Sequence, residues 1–306
     1  MIVRDTPTAW ELFFVLRGSV VHKIFPRIAA VAMLSMTVVV LQRGGVIHIT
    51  SITPLALSVI GAALAIFGAF RNAAAYDRWW EARKLIGMLV IDTRSLARQA
   101  RSYPAPVAGD DTPRRIALRC IALMYATRDY LRGRPVSEDT ARYLIAEESA
   151  ALAASRNAPN RLLDYFSADI AALLAAGRLS PQIAKAMEER VQSMAAGFAS
   201  AERTKVTPMP FVYTLLIHRT AYLFCFLLPF GLADSSGYWT PLVAAIVAYT
   251  FFGLDAIGDE LASPFADSSN TMPLDATARA VEINVLESLG EKTLPEPLKP
   301  ANFILT

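Results

Sequence analysis

Residues 52–70, ITPLALSVIGAALAIFGAF, run for nineteen positions without a charge and then meet Arg71 and Asn72 at once. About 20 apolar helical residues, rising about 1.5 Å each, match the roughly 30 Å hydrocarbon core of a bilayer, so a membrane-spanning helix is expected here. Two stripes step along it by four. Gly61, Ala65 and Ala69 are small, and small residues let helices approach closely in lipid. Ala62, Ile66 and Phe70 form the second, bulkier stripe, which suits a partner surface or the wall of a narrow pore. Packing or lipid contact explains that stripe with one chain, whereas lining a pathway requires a ring of subunits.

The 306 residues are 54% hydrophobic and 19% charged, too apolar for an ordinary soluble domain and too charged to lie wholly in lipid. Membrane spans plus a sizeable water-exposed portion are expected. The net charge of +3, with no long Lys/Arg block, excludes a nucleic-acid surface. Cys120 and Cys225 fall in a cytosolic and a membrane helix respectively and read as buried small apolar residues, not a disulfide.

Four candidate spans, 24–41, 52–70, 211–232 and 238–254, form two hairpins joined by the short connections 42–51 and 233–237. Arg17, Lys23 and Arg27 precede the first span, Arg71, Arg78, Arg83 and Lys84 follow the second, and Arg203 and Lys205 precede the third. The tips carry only Arg43 and Asp234, so both termini and the central segment are expected in the cytoplasm. Arg4, Trp10, Glu11 and Arg17 interrupt the early apolar stretches, and no cleavable leader is expected. The chain then divides into a cytosolic segment 1–23, a first hairpin 24–71, a cytosolic helical domain 72–206, a second hairpin 207–257, and a C-terminal helix and extended tail 258–306.

Within the central segment, residues 76–101 continue the second span as one long helix. The three prolines and the Gly-Asp-Asp of 103–113 mark a loop. Helices follow at 113–131, 137–154, 160–176 and 180–201, the last started by Ser180-Pro181. A further helix covers 274–289, and Pro295, Pro297 and Pro300 forbid helix beyond it. The tail is expected either to wrap a partner subunit or to be disordered.

No phosphate-cradling loop, metal-spaced Cys or His pair, or nucleophile elbow occurs, and His22, His48 and His218 are scattered. Neither an enzyme nor a bound cofactor or metal is expected. His218 and Arg219 lie inside the third apolar segment, where a charge is either functional or a structural anchor. Asp255 and Asp259, one helical turn apart at the end of the fourth span, can receive Arg71 or Arg219.

Three separated strings, AIFGAFRNAAAYDRWWEAR, PFVYTLLIHRTAYLFCFLLPFGL and DELASPFADSSNTMPLDA, with GSVVHKIFPR near the start, resemble the bestrophin family and its bacterial branch, over nearly the whole chain. The resemblance implies an all-α homopentameric ion channel in the inner membrane, with four transmembrane helices per subunit, a cytosolic vestibule and one central pore. It puts a hydrophobic neck at Ala62, Ile66 and Phe70, where an apolar ring gates by dewetting. Ala62 is smaller than the isoleucine typical of relatives and Ile66 replaces the Phe of animal members, so a wider or differently selective neck is implied. A cytosolic aperture aligns with Gln182, with Ile183 adjacent. The calcium clasp of animal members is reduced here to Asp267, Ser268, Ser269 and Asn270, too few charged oxygens for calcium regulation. Monovalent ions are the implied cargo: chloride by family, with sodium an alternative in bacterial members. A membrane-anchored scaffold whose cytosolic domain binds partners without conducting is the other reading.

Overall fold

A computed structural model describes residues 1–4, 8–15, 18–47 and 53–306; Arg17, His48 and Ile52 lie outside the described residues. Its helices are α1 (Ala9–Phe14), α2 (Val21–Arg43), α3 (Pro54–Ser102), α4 (Thr112–Arg132), α5 (Glu138–Ala141), α6 (Ala146–Ala153), α7 (Ala158–Ala175), α8 (Pro181–Val206), α9 (Phe211–Ser236), α10 (Thr240–Ala262) and α11 (Leu274–Ser288). The fold is all-helical. The chain forms two compact units, one of residues 4–79 and 208–263, the other of residues 1–3, 80–207 and 264–306.

In the first unit α2, the N-terminal part of α3, α9 and α10 pack together. Among the described residues three helical stretches are long and apolar enough to cross a membrane: Val21–Arg43, Pro54–Ser102 and Phe211–Ala262. The third folds back at Gly237, whose φ of 53° favours glycine and whose missing Cβ leaves room for the Arg43 guanidinium. His218 meets Asp255, Tyr222 meets Phe252 and Phe224 meets Phe251, so α9 and α10 run antiparallel. Ala244 and Ala248, one turn apart and fully buried, let α10 approach closely.

α3 buries a seam through Leu57, Leu64, Arg71 and Ala75, with Gly61 and Gly68 half-buried on the same side. A Cβ on Gly61 would lie 2.9 Å from the Phe224 ring, so glycine is what brings α3 onto α9. Ala65 and Ala69, expected to share that packing role, are exposed in the single chain. The reason is geometric: at about 3.6 residues per turn each step of four rotates about 40° away from the seam, which follows alternating steps of four and three.

The second unit is built around α4. Ile116, Cys120, Ile121 and Leu123 on α4 pack with Leu96, Leu152, Leu162, Phe166 and Met187. α4 also buries charges, each of them paired as burial demands. Arg119 meets Glu148 and Asp169, and Arg128 meets Asp129, Asp139 and Asp275. Cys120 and Cys225 are both buried and unbridged. The Asn157 side chain caps α7 and that of Ser180 caps α8, each with proline in the first turn.

The single helix expected over 137–154 is two, α5 and α6, separated at residues 142–145. Asp129 receives the Ser137 amide at 2.9 Å and the Thr140 hydroxyl at 3.0 Å, while Tyr143 donates to Glu282 on α11. These partners bend a segment that contains no helix breaker, so tertiary contacts override propensity. Burial, reinforced by Glu282, pushes the Tyr143 phenol up to about 12. Helix α1 was not anticipated; its signal is the Thr8-x-x-Glu11 spacing, and the Thr8 amide donates to Glu11 at 2.8 Å. Beyond Gly290 the tail contains no helix, and it returns along its own chain. Val3 donates to the Phe303 carbonyl at 2.9 Å and Leu305 to that of Met1 at 2.8 Å, while Ala276 holds Thr306 at 2.8 Å.

Candidate functional site

On the side of α3 opposite its seam, Ala62, Ile66 and Phe70 all face outward. Ile66 is 56% and Phe70 63% exposed, and Leu55 and Val59 extend the same apolar surface. A helix apolar on both sides requires a second apolar environment beyond the one its own chain supplies. Such side chains offer an ion no oxygen or N–H in exchange for its water.

One turn along the seam the chemistry reverses. The Arg71 side chain is 2% exposed, and its Nη1 donates to Asp255 Oδ1 at 3.1 Å and to the Asp255 carbonyl at 3.2 Å. Its Nη2 meets the Asp259 carboxylate. The second oxygen of Asp255 lies 2.7 Å from His218 Nδ1. One guanidinium thus faces two carboxylates, and both Asp255 oxygens are engaged. Lys23 and Glu260 add an ion pair at 2.6 Å. Breaking a buried pair by removing one partner costs about 3–5 kcal/mol, because the other charge is stranded.

Gly258 makes this close approach possible, since a Cβ there would sit 2.7 Å from Arg71 Nη1 and nearer still to Asn72. Sequence reasoning passed over it, although a glycine between Asp255 and Asp259 in a helical pattern is a signal of close approach. A cavity of about 20 Å³ adjoins the cluster, lined by Leu64, Gly68, Arg71, Asn72, Ile217 and Asp255 among others. Arg71, Asp255, Asp259 and His218 are therefore brought together. Arg219 is not: it is exposed and forms no ion pair among the described residues.

In the second unit Gln182 is exposed in the first turn of α8, while Ile183 is half-buried against the core and its amide donates to Ser180 Oγ at 3.3 Å. Of the two, only Gln182 presents its side chain fully to solvent. Asp267 is paired with Arg134, and Thr271 closes the following turn by donating to the Ser268 carbonyl at 2.8 Å. Among the described residues no group of three His, Cys, Asp or Glu side chains could hold a metal ion.

Residues 1–287 match the model of the bacterial/fungal bestrophin proteins. The chain is 41% identical over 304 residues to a voltage-dependent anion channel-forming protein of Mesorhizobium japonicum, covering 98% of this chain and 96% of that one. It is 36% identical over 300 residues to the voltage-dependent anion channel-forming protein YneE of Escherichia coli K12, covering 98% of each. Its fold is similar to the crystal structure of a bacterial bestrophin homologue from Klebsiella pneumoniae, with a TM-score of 0.82, 34% identity, and coverage of 88% of this chain and 100% of that one.

Proposed function

Because the chain belongs to the bacterial/fungal bestrophin family, we propose that it is a passive ion channel of bestrophin type, five copies of which enclose one pathway for monovalent ions. The observation that carries this reading is the two-sided α3: its seam is filled within the chain, while Ala62, Ile66 and Phe70 remain apolar and outward. Copies arranged about an axis would turn these into three stacked rings, a neck that resists ions by dewetting. Gln182 would form a wider, polar ring, and a carboxamide hydrates ions where an aliphatic side chain does not. Arg71, Asp255, Asp259 and His218 serve the neck structurally by locking α3 to α9 and α10.

The unit of 4–79 and 208–263 occupies the inner membrane and the helical unit lies in the cytoplasm with both termini, as the Lys/Arg distribution supports. The names of the relatives in M. japonicum and E. coli speak for an anion as cargo. The apolar neck itself carries no sign.

Flux from liposomes containing the purified full chain tests the reading. Wild type is expected to pass ions down a gradient, and Ile66→Phe, which narrows the middle ring, to lower the rate several-fold while assembly on size-exclusion chromatography is unchanged. A well-assembled wild type that leaks no ion under any gradient would replace the channel with a membrane scaffold.

A further inference from the structure

Asp77 lies in the same compact unit as Ala62, Ile66 and Phe70 and on the same helix, which runs unbroken from Pro54 to Ser102. It follows Ile66 by eleven residues and Phe70 by seven. At about 3.6 residues per turn these are about three and about two whole turns, so Asp77 stands in line with the stripe and opposite the seam of Leu57, Leu64, Arg71 and Ala75. Its side chain is exposed and has no ion pair or hydrogen bond among the described residues.

Its neighbour Arg78 and, at the end of the stripe, Arg71 are both occupied. Arg78 Nε donates to the Ala262 carbonyl at 2.8 Å, at the end of α10. Arg71 is buried between two carboxylates. Asp77 is the first charge on the outward face after the apolar stripe; the next cation in line with it, the exposed Lys84, lies seven residues, about 10 Å, further along the helix.

We propose, on the channel reading above, that Asp77 is a selectivity-determining residue of the pathway. Five copies would place a ring of carboxylates about 10 Å beyond the Phe70 ring, taking about 1.5 Å per residue. Rings of Asp or Glu concentrate cations and repel anions. With a screening length of about 8 Å at physiological salt, that field acts on ions approaching or leaving the neck and has largely decayed at the Phe70 ring itself. The ring therefore weights the pathway toward sodium over chloride, in the sense opposite to the names of the relatives.

Planar-bilayer recording of the purified full chain in asymmetric NaCl tests this through the reversal potential. Asp77→Asn is expected to lower the sodium-to-chloride permeability ratio several-fold, Asp77→Ser to do the same, and Asp77→Glu to preserve it. The gap between wild type and Asp77→Asn should narrow near 1 M salt, where screening shortens to about 3 Å. An unchanged ratio in both neutral variants, with Ile66→Phe still altering the current, overturns the role of Asp77 and leaves the channel standing. A wild type without any current removes the channel reading and this inference with it.

Discussion

The two compact units bury charge in different ways. In the helical unit, buried ion pairs run along α4: Arg119 meets Glu148 and Asp169, and further along Arg128 meets Asp129, Asp139 and Asp275. In the unit of α2, α9 and α10, buried charge gathers at one level, around Arg71. Water can reach the rim of a soluble core at many points, so paired charges there are tolerated along its length. An apolar bundle has no such rim, and a guanidinium inside it must bring all its partners together. The difference also concerns the acceptor that is left. Asp169 serves Arg115 and Arg119 as Asp255 serves Arg71 and His218, but Arg119 keeps the largely buried Glu148 if Asp169 is lost, whereas Arg71 keeps only Asp259, which is 58% exposed.

The largest break in that comparison is expected at Asp255. Asp255→Asn leaves Arg71 facing only the half-exposed Asp259 and removes a charged acceptor from His218, for a loss of about 3–5 kcal/mol. Asp169→Asn should cost clearly less, since the carboxylate left to Arg119, Glu148, is buried with it, and Arg115, the other cation Asp169 serves, is partly exposed to water. Thermal unfolding of the detergent-solubilised protein, with the oligomer followed by size-exclusion chromatography, measures both. Equal losses would erase the distinction between the units.

Next in size is Gly258→Ala, which sets a methyl against Arg71 and Asn72. Overpacking of this kind costs about 1–3 kcal/mol. The same readout applies, and a neutral result would mean that α10 is free to shift away from α3.

The smallest effect concerns the exposed loop ahead of α4. The Thr112 hydroxyl donates to Asp110 at 2.6 Å and Arg178 pairs with it, holding the carboxyl at about 2, below its ordinary 3.8. A carboxylate lowered by folding stabilises the fold above its ordinary value and loses that contribution as pH falls toward about 2. Proteolysis of residues 103–112 should therefore accelerate between about pH 4 and about pH 2, and Asp110→Asn should flatten that dependence.

Much of the molecule was legible in the sequence because it rests on local signals. The uncharged run, the return of charge at Arg71 and the helical period of 76–101 together describe α3, and Ser180-Pro181 marks the start of α8. The Asp255/Asp259 pair was legible as an acceptor by its spacing of four. Its partner was not, since Arg71 and Arg219 both carry the required charge and only the packing of α3 on α10 selects Arg71. The break between α5 and α6 had no local signal, because it is imposed by Asp129 and Glu282 from other helices.

The uncharged run by itself determined that part of this chain belongs in an apolar environment, because hydrocarbon accepts a helix of that length and composition and little else. Which side of that helix is left over was a tertiary decision. The stripes of Gly61, Ala65, Ala69 and of Ala62, Ile66, Phe70 share one spacing and differ by only about 100° in phase, so sequence leaves their roles open. Packing of Phe224 over Gly61 and of Asp255 onto Arg71 fixes the rotation of α3. Once it is fixed, Ile66, Phe70 and Asp77 are what the helix presents outward.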